Sequence, residues 1–175
     1  MTGDDVPAPP TPSGPQDSPG FLLWRATLRW QRTIAAALQP VGLTHVQFVL
    51  LASVWWLSDQ ASSTRHLPSQ RAVAAHADTD VMMTSQVLRS LERRGLLTRA
   101  ADPTDARVKR LTVTQDGRRL AEQAVTLVEE ADASFFDHVQ PSTPLLDLLR
   151  QLNGGPAAAG DQAGATPTRP SPAAP

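Results

Sequence analysis

The stretch TRAADPTDARVKRLTVTQDG, Thr98 to Gly117, constrains the fold more than any other part of the chain. Two aspartates, a proline and a lone Arg107 crowd one short loop, and Val108, Lys109, Arg110, Leu111, Thr112 and Val113 then follow in strand-like order. Aspartate and proline are turn formers, and runs rich in valine and threonine on either side of such a loop read as a hairpin. Two short strands are expected, Leu96–Arg99 and Lys109–Val113, with Arg107 held out in front of the second. A solvated loop needs no such order.

Upstream of the hairpin the pattern is helical. Phe21–Gln39 carries Phe21, Trp24, Leu28 and Ala35 on one side and Arg25, Arg29 and Arg32 as a polar stripe, and Pro40 stops it. Thr44 and Gln47 form a capping-box signature. The helix they open is apolar on nearly every face through Leu57, so it belongs in the middle of the fold. After the polar loop SDQASSTRH come a short helix, Ser69–His76, a turn at Ala77–Thr79 and a helix from Asp80 to Arg94 that Gly95 ends. Downstream, Asp116–Val139 repeats apolar residues at helical steps, Pro141 breaks it, and Thr143-Pro144 looks like a cap and first residue for a leucine-rich helix ending at Leu152.

Helix, short turn, helix, glycine and hairpin make a winged helix-turn-helix. The expected fold is therefore mainly α with a small β-hairpin, a winged helix-turn-helix domain flanked by N- and C-terminal helices. Residues 1–20 and 153–175 are rich in Pro, Ala, Gly and Ser and are expected to be disordered tails, because they cannot bury enough apolar surface to offset ordering entropy.

Composition narrows the function. The chain has no cysteine, which excludes disulfides, thiolate nucleophiles, thiolate metal sites and thiol redox sensing. His45, His66, His76 and His138 show no metal-ligand spacing, and no phosphate loop or nucleophile–base motif occurs, so neither an enzyme nor a cofactor is expected. No apolar run is long enough to cross a bilayer and the acidic, proline-broken start is unlike a secretory leader, so no membrane partner and a cytoplasmic location are expected. The net charge of −1 conceals a division. Residues 65–119 carry a net +5 and the remainder −6, the distribution of a DNA-facing surface on an acidic body.

An α-helix fits the major groove of duplex DNA. Sorting Asp80–Arg94 by period puts Thr84, Val87, Leu88 and Leu91 inside and Met82, Ser85, Gln86, Arg89 and Arg93 outside. Glutamine can bond an adenine edge, arginine a guanine edge or a phosphate, and methionine a thymine methyl. Met82, Ser85, Gln86 and Arg89 are the candidate DNA contacts of this helix, with core filling as the alternative for Met82.

At these residues the chain resembles the MarR family of bacterial transcription regulators. The resemblance spans about Phe21–Leu152 and is carried by GLTHVQFVLL, SQVLRSLERRGLLTR and DPTDARVKRLTVTQDG, the wing's Asp105-Ala106-Arg107 followed by Thr114 to Gly117 being its most particular part. It implies a winged helix over about 44–114 and dimerisation helices over about 21–39 and 116–152. It implies that Asp105 orients the wing and Arg107 inserts into the minor groove, where a narrow groove concentrates negative potential. A structural pair that only closes the hairpin is the alternative. Lys109 and Arg110 are read as phosphate contacts.

The resemblance further implies a homodimer bound to double-stranded DNA at a pseudo-palindromic operator, with repression relieved by a small aromatic effector held between the dimer helices and the winged domain. Trp24, Arg25, Arg29, Phe48 and Trp55 are the candidate crevice residues, beside Trp30, Arg32 and Trp56; packing is the alternative for each aromatic. A winged-helix protein-interaction or scaffold module without DNA binding is the competing function, since fold alone does not fix function.

Overall fold

The computed structural model of the chain describes residues 14–61, 67–105, 107–137, 139 and 142–154. Most of both expected tails, residues 62–66 of the polar loop, Ala106, His138 and Pro141 lie outside the described residues. The elements run α1 (Pro19–Leu38), α2 (His45–Asp59), α3 (Gln70–His76), α4 (Val81–Arg93), β1 (Leu97–Ala101), β2 (Lys109–Val113), α5 (Gln115–Phe136) and α6 (Ser142–Leu152).

Helix α1 starts two residues before the expected Phe21, inside the expected tail. Pro19 takes the first helical position, where a missing N–H costs nothing, and the Ser18 side chain accepts the Phe21 N–H. Pro40 does not end the chain's helical path at once. It sits in a single 3-10 turn, Gln39–Val41, and the left-handed Gly42 turns the chain towards α2. There the capping box forms in full: the Gln47 N–H donates to Thr44 Oγ1 and the Thr44 N–H to Gln47 Oε1.

Helix α2 occupies the centre, against α1, α3, α4 and β2. Leu50, Leu51 and Val54 are fully buried and join Ile34 and Leu38 of α1, Val73 of α3, Leu88 and Leu91 of α4, Leu97, Leu111, Ala121 and Ala124 in one core. Each fully buried leucine or isoleucine there contributes roughly 1.5–3 kcal/mol of transfer free energy.

The turn between α3 and α4 is held by hydroxyls. Thr79 and Thr84 share a 2.8 Å hydrogen bond, and Thr84 is fully buried. Asp80 caps α4 by accepting the N–H groups of Met82 and Met83 at 2.9 Å. At the other end of α4, Gly95 adopts φ +72°, the left-handed cap its position called for.

β1 and β2 pair antiparallel, Leu97 opposite Val113 and Ala101 opposite Lys109. β1 therefore runs Leu97–Ala101 instead of Leu96–Arg99. A strap from the α2–α3 connection lies along the outer side of β2: the Leu111 N–H donates to Pro68 O, and Ser69 bridges to Arg110. Because Ser69 is also the N-cap of α3, the hairpin is tied to the start of the helix-turn-helix.

Thr114 roots α5. Its N–H donates to Leu96 O, its hydroxyl donates to Gly95 O at 2.7 Å and accepts the Gly117 N–H at 3.0 Å. The helix ends at Phe136, short of the expected Val139. Residues from Phe136 onward form a separate compact unit whose described helix is α6. α6 begins at Ser142, so Thr143 lies within its first turn and is not the cap expected from the sequence.

Candidate nucleic-acid interface

The outer face of α4 matches the periodic sorting. Thr84, Leu88 and Leu91 are buried, while Met82, Gln86, Arg89 and Arg93 are exposed, and Met82 at 77% is the most exposed large apolar side chain among the described residues. Val87, sorted inward, is half-buried against the core. Ser85 is half-buried and accepts a 2.8 Å hydrogen bond from Arg89 Nη2 one turn on. That bond fixes the direction of a guanidinium that would otherwise sample many rotamers, and it leaves Arg89 charged.

The wing is organised by an acid that sequence reading passed over. Asp102 Oδ1 accepts the Thr104 N–H at 2.7 Å, the Thr104 hydroxyl at 2.5 Å and the Asp105 N–H at 3.1 Å, and Oδ2 pairs with Arg110 Nε at 2.5 Å. The hydroxyl and amide of Thr104, then Arg110, hold this carboxyl far below the ordinary aspartate range. An aspartate followed two residues later by a threonine is an Asx-turn signature, so DPT carried a readable signal.

Asp105, expected to orient the wing, takes a smaller share of that work. Its Oδ1 accepts the Arg107 N–H at 3.0 Å, and its carbonyl accepts the Val108 N–H. Arg107 is exposed at the hairpin's end, and its guanidinium makes no hydrogen bond or ion pair among the described residues. Lys109 is exposed as well.

Arg110, read from the sequence as a phosphate contact, gives Nε to Asp102 and Nη1 to Leu67 O at 2.9 Å, so two of its donors are held within the domain. On the inner side of β1, Arg99 pairs with Glu92 of α4 at 2.6 Å. Arg94 likewise turns back onto the approach to α2, donating to Gly42 O and to Gln47 Oε1. The basic segment thus divides into arginines that assemble the domain and cations that face outward.

The candidate crevice residues are distributed over α1 and α2. Trp24 is 56% exposed and stacks on Phe21, whose ring also carries Arg25 at 5.9 Å; Arg29 is exposed further along α1. Phe48 packs against the core. Trp55 donates to Asp59 and lies under Arg118, and that arginine is paired with Asp59. Trp30 donates to Asp132 Oδ1 at 2.6 Å and meets His45 edge-on at 5.0 Å, while Trp56 is 59% exposed. A cavity of about 370 Å³, lined by Ser58, Asp59, Leu67, Arg118 and the Thr112–Gln115 segment, opens beside Trp55, whose partners Asp59 and Arg118 line it, though none of the expected crevice residues does.

Comparison with known proteins agrees with this geometry. The sequence profile of the MarR family matches residues 43–109. An HTH-type transcriptional regulator of Bacillus subtilis, YdcH, is 39% identical over 140 residues, covering 80% of this chain and 92% of the relative. The solved structure of CouR from Rhodococcus jostii bound to p-coumaroyl-CoA superposes with a TM-score of 0.68 at 30% identity, covering 81% of this chain and 94% of CouR. The transcriptional repressor CouR bound to a 23-mer DNA duplex gives a TM-score of 0.68 at 25% identity, over 84% and 98% of the two chains. Family profile, relative and winged-helix geometry converge: this chain is a DNA-binding transcriptional regulator of the MarR family, a family of regulators and not of enzymes.

Proposed function

We propose that the chain is a homodimeric, sequence-specific repressor that reads a pseudo-palindromic operator and is released by a small aromatic effector. The observation that carries the DNA reading is the pairing of two outward cationic elements on one body. Gln86, Arg89 and Arg93 face out from α4, Arg107 and Lys109 face out from the wing, and Glu92–Arg99 ties the two elements together. Met82, Gln86 and Arg89 enter the major groove, Ser85 steadies Arg89, and Arg107 enters the adjacent minor groove.

Exposed Phe21, Leu22, Leu23 and Trp24 on α1, and Leu146, Leu148 and Leu152 on α6, support the dimer, since such apolar runs belong in an interface. Two-fold symmetry then sets the half-sites one helical turn apart, ~34 Å. CouR's complex with p-coumaroyl-CoA supports an aromatic effector, and the exposed Trp24 and Trp56 are the candidate aromatic walls, with Arg25 and Arg29 available to an anionic group. The named relatives are bacterial, and a regulator of this kind works in the cytoplasm.

Fluorescence anisotropy with DNA from upstream of the protein's own gene, titrated across salt, tests the reading. Affinity that falls steeply with salt and a footprint of two half-sites support it. Binding indifferent to sequence and salt would turn the assignment towards a protein-interaction module.

A further inference from the structure

Asp102 is a buried acid in an exposed loop. Ala101, Pro103, Thr104 and Asp105 are all exposed, yet Asp102 is only 6% exposed, paired with an Arg110 side chain that is itself mostly covered. A buried ion pair adds little net stability, because desolvation offsets most of the attraction. Its value lies in fixing geometry.

The contacts form a continuous line. Pro68 and Ser69, at the start of the helix-turn-helix, bind β2. From there Arg110 reaches back to Leu67 O and across to Asp102. Asp102 gathers the N–H groups of Thr104 and Asp105, and the Asp105 carboxylate holds the N–H of Arg107.

We infer that Asp102 and Arg110 are positioning residues that set where Arg107 stands relative to the recognition helix. The inference rests on the DNA-binding reading of Arg107 above. It assigns Arg110 to the wing's interior, and it requires arginine there, because one side chain must serve a carboxylate and a carbonyl in different directions.

The sign of the effect separates positioning from plain electrostatics. Asp102→Asn removes a negative charge close to the DNA-facing surface, which by Coulomb attraction alone would tighten binding. Loss of the wing's anchor weakens it.

The test uses the same upstream DNA with wild type, Asp102→Asn, Arg107→Ala, their double mutant and Arg110→Lys. Asp102→Asn is expected to weaken binding about tenfold, within the range of a typical coupling between sites. The double mutant should bind within about twofold of Arg107→Ala alone, the signature of residues acting through one another. Arg110→Lys should also weaken binding although the charge is kept.

In the free protein, amide exchange at Thr104, Asp105 and Arg107 should quicken in Asp102→Asn while that of α3 and α4 is unchanged. If Asp102→Asn fails to fold, Thr104→Val, which removes only the hydroxyl donor to Asp102, should show a smaller loss in the same direction. Unchanged or tighter binding by Asp102→Asn overturns the inference and leaves the DNA reading intact, as do losses that multiply in the double mutant. Unchanged binding by Arg110→Lys returns Arg110 to the role of a phosphate contact and overturns its part. Failure of the wild type itself to bind overturns the DNA reading and this inference with it.

Discussion

Replacing Gly117 with alanine tests the tightest backbone approach at any described glycine. Gly117 lies in the first turn of α5, where a Cβ would stand 1.8 Å from Leu96 O and 2.7 Å from the Leu96 carbonyl carbon. Both atoms are backbone, so no rotamer change relieves the overlap. To restore an ordinary contact of ~3.3 Å, α5 and the chain entering β1 must separate by about 1.5 Å. That movement pulls apart the Thr114 N–H and Leu96 O, 3.1 Å apart, and strains the Thr114 bond to Gly95 O.

Two weakened hydrogen bonds cost about 1–3 kcal/mol and overpacking about 1–3 kcal/mol, against a helix-propensity gain of about 1 kcal/mol for alanine. The net expectation is a destabilisation of about 3 kcal/mol, or roughly 10 °C in Tm. Urea unfolding followed by helical circular dichroism, at one fixed protein concentration, reads it directly. Gly95→Ala is the control. It has a left-handed φ but nothing within 4 Å of its added Cβ, so it should cost only about 1–2 kcal/mol. If Gly117→Ala costs no more than Gly95→Ala, the close approach of α5 to Leu96 is not a determinant of the fold.

Other perturbations reach the interface, the dimer and the core. Arg107→Ala should weaken operator binding by roughly 1–3 kcal/mol while leaving Tm within about 1 °C, since the guanidinium is exposed; anisotropy and a thermal melt read the two halves, and equal affinity would show that the wing does not insert. His45 has its pKa lowered by burial, with Asp132 opposing more weakly. The folded state therefore favours the neutral ring, and the stability it contributes is present above pH ~6.5 and lost as pH falls through the lowered value. His45→Gln should flatten the urea-midpoint curve on the acid side of pH ~6.5; an unchanged curve would mean another group governs it. Deleting Thr143–Leu152 should weaken self-association in sedimentation, and a truncated chain still dimeric at nanomolar concentration would remove α6 from the proposed interface.

How far the sequence could be read depended on the range of the physics involved. Local signals were legible: the Thr44–Gln47 box, Gly95 as a left-handed cap, the inward and outward faces of α4, and the β2 bounds are all written in the pattern of neighbouring residues. Helix ends were less so: the Ser18–Pro19 start of α1 is a local signal hidden in a proline-rich tail, and α5 stops at Phe136 short of the Pro141 that the sequence offers as its breaker. Least legible was the wing's interior. Arg110 and Lys109 are neighbours of one type, and only the distant Leu67 carbonyl and the fold of Asp102 beneath the loop decide that one points in and the other out. The Trp residues were ambiguous for the same reason: Trp30 is committed to Asp132, a hundred residues away, whereas Trp56 is exposed.

That division of arginines has a measurable consequence for salt dependence. Residues 65–119 hold 11 Lys and Arg, which in a dimer would give a slope of log K against log salt near −20 if every one met a phosphate. Arg99 is paired with Glu92, Arg110 with Asp102, Arg118 with Asp59 and Arg119 with Asp116, and Arg94 is folded back onto Gly42. Among the described residues this leaves Arg71, Arg89, Arg93, Arg107 and Lys109 exposed without an acidic partner. Two copies of those five would give a slope of about −9, to which Arg65, outside the described residues, could add about −2. On the proposed reading Arg107 lies in the minor groove and Arg89 on a base edge, where each releases fewer counterions than a direct phosphate contact, so a value of roughly −5 to −7 is expected. A slope near −20 would mean that these ion pairs open on DNA, the exposed Arg118–Asp59 and Arg119–Asp116 pairs and the covered Arg110–Asp102 pair of the wing alike.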